Sequence, residues 1–133
     1  SYYAQASTTV LPDGIATKCV VSNRGDGTNQ IDRRVHLNVA NASGERISMK
    51  VKIETTTGTP RILIGRASDS SVVSSVVTDK DGNVIDNAAM QVGQWYTISW
   101  IADGSAHYQI QPFDGKAANG TYYMKDITVT PVA

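Results

Sequence analysis

The side chains able to do acid–base, nucleophilic or metal chemistry are two histidines, one cysteine and twelve carboxylates. Their spacing assembles none of these chemistries. His36 and His107 fall on separate strand-like runs, with no nucleophile motif and no metal-ligand spacing around them. A glycosidase needs two carboxylates at a defined separation across a groove, and Glu45, Glu54, Asp103 and Asp114 show no motif that supplies them. Most acids stand in turn contexts, where Asp bonds to the backbone. Asp79, Asp81 and Asn83 copy the start of a calcium loop, but Val84 follows the turn and Met90 stands where the bidentate acid belongs, so the stretch reads as a hairpin. Cys19, alone between Lys18 and Val20, can form no internal disulfide or thiolate cluster and reads as a buried, inert thiol. What remains is binding chemistry carried by aromatic rings. Trp95, Trp100, Tyr108 and Tyr122 lie in the last forty residues, which hold both tryptophans and four of the six tyrosines.

Strands must position those rings. Gln94 to Ile101, Ala106 to Pro112 and Thr121 to Thr130 each alternate large apolar or aromatic residues with small polar ones, and read as three antiparallel strands that end an all-β domain. Arg46 to Glu54 gives the cleanest period of two, with Ile47, Met49, Val51 and Ile53 against Ser48, Lys50 and Lys52. Thr17 to Ser22, Val35 to Val39, Arg61 to Arg66 and Ser71 to Thr78 supply further strands. Pro12-Asp13-Gly14 and Asp79-Lys80-Asp81-Gly82-Asn83 are turn signals. No stretch sustains a helical period. About eight to ten strands joined by short turns predict a β-sandwich of two antiparallel sheets, favoured over a barrel because one face of each strand stays polar.

With 133 residues the chain is read as one domain, 1–133. Twelve basic and twelve acidic side chains cancel, which disfavours nucleic acid as a partner and points to a neutral or weakly charged ligand. No apolar run approaches the roughly 20 residues that cross a bilayer, so no membrane insertion is expected. The first residue is Ser rather than Met, and the chain is expected to be a fragment of a larger protein. Arg24-Gly25-Asp26 spells the integrin tripeptide but reads as incidental loop chemistry, and the Asn41 and Asn119 sequons matter only in a eukaryotic secretory pathway.

Three stretches, in order over roughly residues 44 to 130, resemble the jelly-roll carbohydrate-binding modules attached to plant-polysaccharide-degrading enzymes and the related galactose-binding-like domains. Gly44 to Lys52 looks like the family's turn into a long alternating strand. Val92-Gly93-Gln94-Trp95-Tyr96-Thr97 looks like its glycine, polar, tryptophan, aromatic, threonine strand. Gly120 to Val129 looks like its closing strand, where aromatics precede an acidic residue. Similar jelly rolls also end bacteriophage tail spikes and fibres.

The resemblance implies a non-catalytic module that binds a polysaccharide or cell-surface glycan, and an extracellular or virion-surface location. Sugars present weakly polar CH faces fringed by hydroxyls, which aromatic platforms and hydrogen-bonding side chains hold. The expected ligand-binding residues are therefore Trp95, Trp100, Tyr108 and Tyr122, with Arg34, His36, Arg61 and Gln109 as polar partners; Lys50, Lys52, Arg66, His107 and Gln111 could join them. Strand parity leaves open which tryptophan is exposed, since a one-residue shift exchanges the faces. No cofactor is required by this reading. A structural calcium is admitted because Asp126 matches the family's acidic residue in the last strand, with Asp26 as its partner. The module reading expects a monomer. The alternative, a C-terminal receptor-binding domain of a tail spike or fibre, expects a homotrimer, and an autonomous hydrolase is disfavoured.

Overall fold

A computed structural model describes residues 2–23, 34–66, 68–69, 71–114 and 118–131, with the side chains of 2–5, 23 and 114 left aside. Among these residues, ten strands form two antiparallel sheets. The larger contains β1 (Tyr2–Leu11), β2 (Gly14–Asn23), β4 (Arg46–Thr56), β6 (Ser75–Thr78), β7 (Val84–Ile85), β8 (Trp95–Ile101) and β10 (Gly120–Thr130). Its strand order is β1-β2-β10-β4-β8-β6-β7. The smaller sheet has β3 (Val35–Leu37), β5 (Thr59–Arg66) and β9 (Tyr108–Asp114) in the order β3-β9-β5. The chain crosses between sheets after β2, β3, β4, β5, β8 and β9, so these successive strands alternate between the two layers of a β-sandwich.

The period of two in β4 decides which face is the core. Ile47, Met49, Val51 and Ile53 are fully buried, and the strand lies between β10 and β8 where both neighbours extend its inner face. Tyr96, Ile98 and Trp100 continue that face on β8, with Tyr122 and Met124 on β10 and Cys19 and Val21 on β2. Ile62, Ile64, Tyr108 and Ile110 meet them from the small sheet. Trp100 and Tyr108 pack edge to face across the layers, with centroids 5.5 Å apart, as do Phe113 and Tyr122 at 5.9 Å. Cys19 is buried as expected, and burial pushes its thiol up to about 11.

Two hairpins frame the large sheet. Pro12 and Asp13 join β1 to β2, whose ten paired positions run from Tyr2 opposite Asn23 to Leu11 opposite Gly14. The β6–β7 hairpin closes through Gly82, at φ +83°, while the Asp79 carboxylate accepts from the Asp81 and Asn83 amides at 2.9 Å each.

The three closing strands form as β8, β9 and β10, with β8 and β10 flanking β4 and β9 in the other sheet. Two sequence readings are corrected. The expected strand from Ser71 shrinks to Ser75–Thr78, and Val72 makes only an isolated bridge to Gly65. In the sequence Tyr123, Ile127 and Val129 share a parity that suits the core, but Asp126, at φ +55°, sits in an irregularity between Lys125 and Thr128 that shifts the register. Before the bulge the inward residues are Tyr122 and Met124; after it Val129 packs against the core and Ile127 is 40% exposed.

Candidate functional site

The outer face of the large sheet is where polar and aromatic side chains converge. Cross-strand register places Lys18 of β2, Tyr123 of β10, Lys52 of β4 and Trp95 of β8 side by side in one row. The next row runs through Lys125, Lys50, Thr97 and Thr78. Because β8 pairs with β4 so that Trp100 lies opposite Ile47 and Trp95 opposite Lys52, Trp100 enters the core and Trp95 faces outward, half-buried.

A groove of about 250 Å³ opens on this face. Lys50, Trp95, Thr97 and Lys125 line its floor, the β1–β2 turn contributes Asp13 on one side, and the β6–β7 turn contributes Asp79 and Lys80 on the other. Lys125 is its most constrained cation. Its ammonium lies 4.2 Å from the Trp95 ring centroid and donates to Asp13 Oδ2 at 2.8 Å, with the side chain only 11% exposed. Lys52 approaches the same ring at 5.9 Å.

The carboxylates around the groove are engaged inside the protein. The hydrogen bond from Lys125 holds the Asp13 carboxyl below its ordinary value, helped at longer range by Lys52. Asp79 is held low by the amides of its own turn, that of Asn83 first. Tyr123 Oη donates to Glu54 Oε2 at 2.8 Å, and that bond pushes the phenol above its ordinary value and keeps it protonated. Asp126 lies 3.6 Å from the Lys50 ammonium.

The eight residues expected to bind ligand separate into three places. Trp95 lies in the groove. Trp100, Tyr108 and Tyr122 are core residues and not exposed platforms, at 1%, 0% and 0% exposure. Their rings fill the space between the sheets because β8, β9 and β10 each turn them inward. Arg34, His36, Arg61 and Gln109 belong to the small sheet and its approach, remote from Trp95 in the strand order. There Arg34 donates to Gln109 Oε1 at 3.0 Å, Gln109 is buried, and His36 stacks on His107 with centroids 4.5 Å apart. Arg61 is half-buried in β5 and already engaged.

For the calcium expectation, Asp26 lies outside the described residues, as does the Arg24-Gly25-Asp26 triplet. Asp126 faces an ammonium where a cation site needs further oxygens, and among the described residues no three His, Cys, Asp or Glu gather around it.

Sequence reasoning missed Asp13, Asp79, Lys80 and Lys125. The usable signal was that both hairpin turns carry acids and that Lys125 shares the outward parity of Tyr123. Asp13 and Lys125 stand 112 positions apart, and only the sheet order brings them together.

No family model matches the chain, and no curated protein matches it. Among solved structures, one described as "CBM4 structure and function" is similar at 15% identity and a TM-score of 0.48, over 98% of this chain and 86% of that one. At that score and identity the likeness carries no argument about chemistry, and the description of the fold stands on the two sheets themselves.

Proposed function

We propose that this chain is a non-catalytic binding module that holds a polysaccharide or glycan in the groove around Trp95. The observation that carries the reading is a half-buried indole on the floor of a groove between two hairpin turns, ringed by ammonium and hydroxyl groups. An aromatic face beside fixed polar groups is what a sugar ring, apolar on one side and hydroxylated at its edge, requires. The family resemblance of the Trp95 strand supports the same reading.

The acids of the groove argue against hydrolysis. A glycosidase keeps one carboxyl protonated near neutral pH by raising its pKa, whereas Asp13 and Asp79 are both held below their ordinary values. The module's benefit to an attached enzyme or particle is effective concentration at its polymer. This reading carries with it an extracellular or virion-surface location. A second reading, assembly as a tail spike or fibre domain, draws support from Val10 and Ile15, paired at the tip of the β1–β2 hairpin and 79% and 68% exposed.

Affinity electrophoresis through gels containing soluble polysaccharides tests the first reading. Retardation by one glycan class that is lost in a folded Trp95→Ala variant is expected. Absence of retardation by any polymer, with a trimeric mass in solution, would transfer the assignment to the assembly reading.

A further inference from the structure

We infer that the glycan bound on this face is an anionic one, a polysaccharide bearing carboxylate or sulfate groups; this rests on the binding-module reading above. The inference comes from which groups on the outer face are already satisfied. Four of its carboxylates are engaged, Asp13 by Lys125, Glu54 by Tyr123, Asp79 by the amides of its turn, and Asp126 beside Lys50, while Asp81 at the tip of the β6–β7 turn stands open. Its other spare groups are donors. Lys18, Lys52 and Lys80 make no ion pair among the described residues, and Lys52 and Lys80 act on Asp13 and Asp79 only through space.

A neutral sugar offers hydroxyls that donate as readily as they accept, and is best matched by a mixture of carboxylates, amides and cations. A face with most of its carboxylates engaged and its ammoniums open is matched by a ligand rich in acceptors, and charged acceptors form the stronger bonds to ammonium. The register adds a spacing. Lys18 and Lys52 flank Tyr123 in one row across β2, β10 and β4, two strand intervals apart or roughly 10 Å. Trp95 continues the same row. A polymer lying across the strands would place its repeated anions over the lysines and a ring against the indole. The zero net charge of the whole chain hides this arrangement, because it does not distinguish acids already bonded within the protein from ammoniums left open.

Matched pairs of polymers test the inference on the intact chain: polygalacturonate against the same polymer with its carboxyls reduced, and dextran sulfate against dextran. Binding of an anionic member at least about tenfold tighter than its neutral partner, weakening as ionic strength rises, is expected. Which pair shows the effect identifies the anion. A Lys18→Gln variant is expected to lose about threefold toward the anionic polymer with little change toward the neutral one, a Lys18→Gln/Lys52→Gln variant about tenfold toward the anionic polymer, and Trp95→Ala is expected to weaken both. Equal, salt-independent binding of charged and neutral partners overturns the inference and leaves the module reading standing. Anionic binding that survives Trp95→Ala, or that a single-stranded oligonucleotide matches, overturns it as mere ion exchange. Failure to bind any of the polymers sinks the module reading and this inference with it.

Discussion

Tyr108 and Tyr122 are both fully buried, yet removing their hydroxyls should have opposite consequences. Tyr108 Oη donates to Asp103 Oδ1 at 2.8 Å and accepts from the Asp103 amide at 3.0 Å. Tyr122 Oη is buried without a full hydrogen bond, its nearest polar neighbour being the Cys19 thiol, a weak partner. A hydrogen bond to a charged group contributes about 1.5–3 kcal/mol. The Asp103 side chain is 37% exposed and regains water when its partner is lost, so Tyr108→Phe should cost about 1–2 kcal/mol. Tyr122→Phe removes a buried group that is desolvated with little compensation, and should fall between neutral and about 1 kcal/mol stabilising. The two variants thus separate by about 1–3 kcal/mol, or several degrees in Tm for a chain of this size. Urea unfolding followed by tryptophan fluorescence measures both. If Tyr122→Phe destabilises as much as Tyr108→Phe, its hydroxyl has a strong partner and the packing described around Cys19 is wrong. Neither folded variant should change glycan affinity more than about twofold, since neither ring reaches the surface.

Gly120 has no room for a side chain, because a Cβ there would lie 2.2 Å from the Thr55 carbonyl oxygen and 2.7 Å from the Phe113 ring. Gly120→Ala should therefore cost about 1–3 kcal/mol or more in chemical denaturation. The Ser105 hydroxyl, with Tyr108 and Arg66, holds the Asp103 carboxyl down to about 2. A depressed carboxylate contributes stability that is fully present above its unfolded value, about 3.9, and is lost as pH falls toward 2. Asp103→Asn should accordingly flatten the fall of Tm between about pH 4 and pH 2, and an unchanged slope would refute that assignment. Cys19, fully buried with its thiol raised to about 11, should resist a disulfide reagent in the native chain and react at once in denaturant. Rapid native labelling would mean that the β2 end of the core opens.

The elements whose local pattern agrees with their packing were legible in the sequence. The alternation of β4, the turn residues before Gly14 and around Gly82, and the lone buried cysteine required no knowledge of distant contacts. Sheet membership was not legible. The runs of β8, β9 and β10 look alike, and only the crossings between layers place β9 opposite the other two. The bulge at Asp126 was equally hidden, since a single residue at positive φ reverses the faces of everything after it and leaves no mark in the hydrophobic pattern.

The site was half legible for the same reason. Both tryptophans were visible, but their parity was undetermined until the pairing of Lys52 with Trp95 turned one outward and the other into the core. Treating all four aromatics as candidates followed from their chemistry, while burial, a property of the assembled sheets, removed three. Of the polar partners, Arg34, His36, Arg61 and Gln109 lie on the small sheet or its approach, whereas Lys50 and Lys52 lie on β4, which flanks the Trp95 strand.

The native chain carries its own probe of the central claim. Of its two tryptophans, Trp100 is 1% exposed and Trp95 is half-buried in the groove, so the emission that acrylamide quenches belongs chiefly to Trp95. Titrating quenched protein with the polysaccharide that retards it in gels is the direct measurement. The account predicts that Trp95 becomes protected from the quencher in step with binding, and that a folded Trp95→Ala variant loses both the signal and the affinity. Saturable binding with Trp95 as quenchable as before would place the glycan elsewhere on the sandwich and contradict the account.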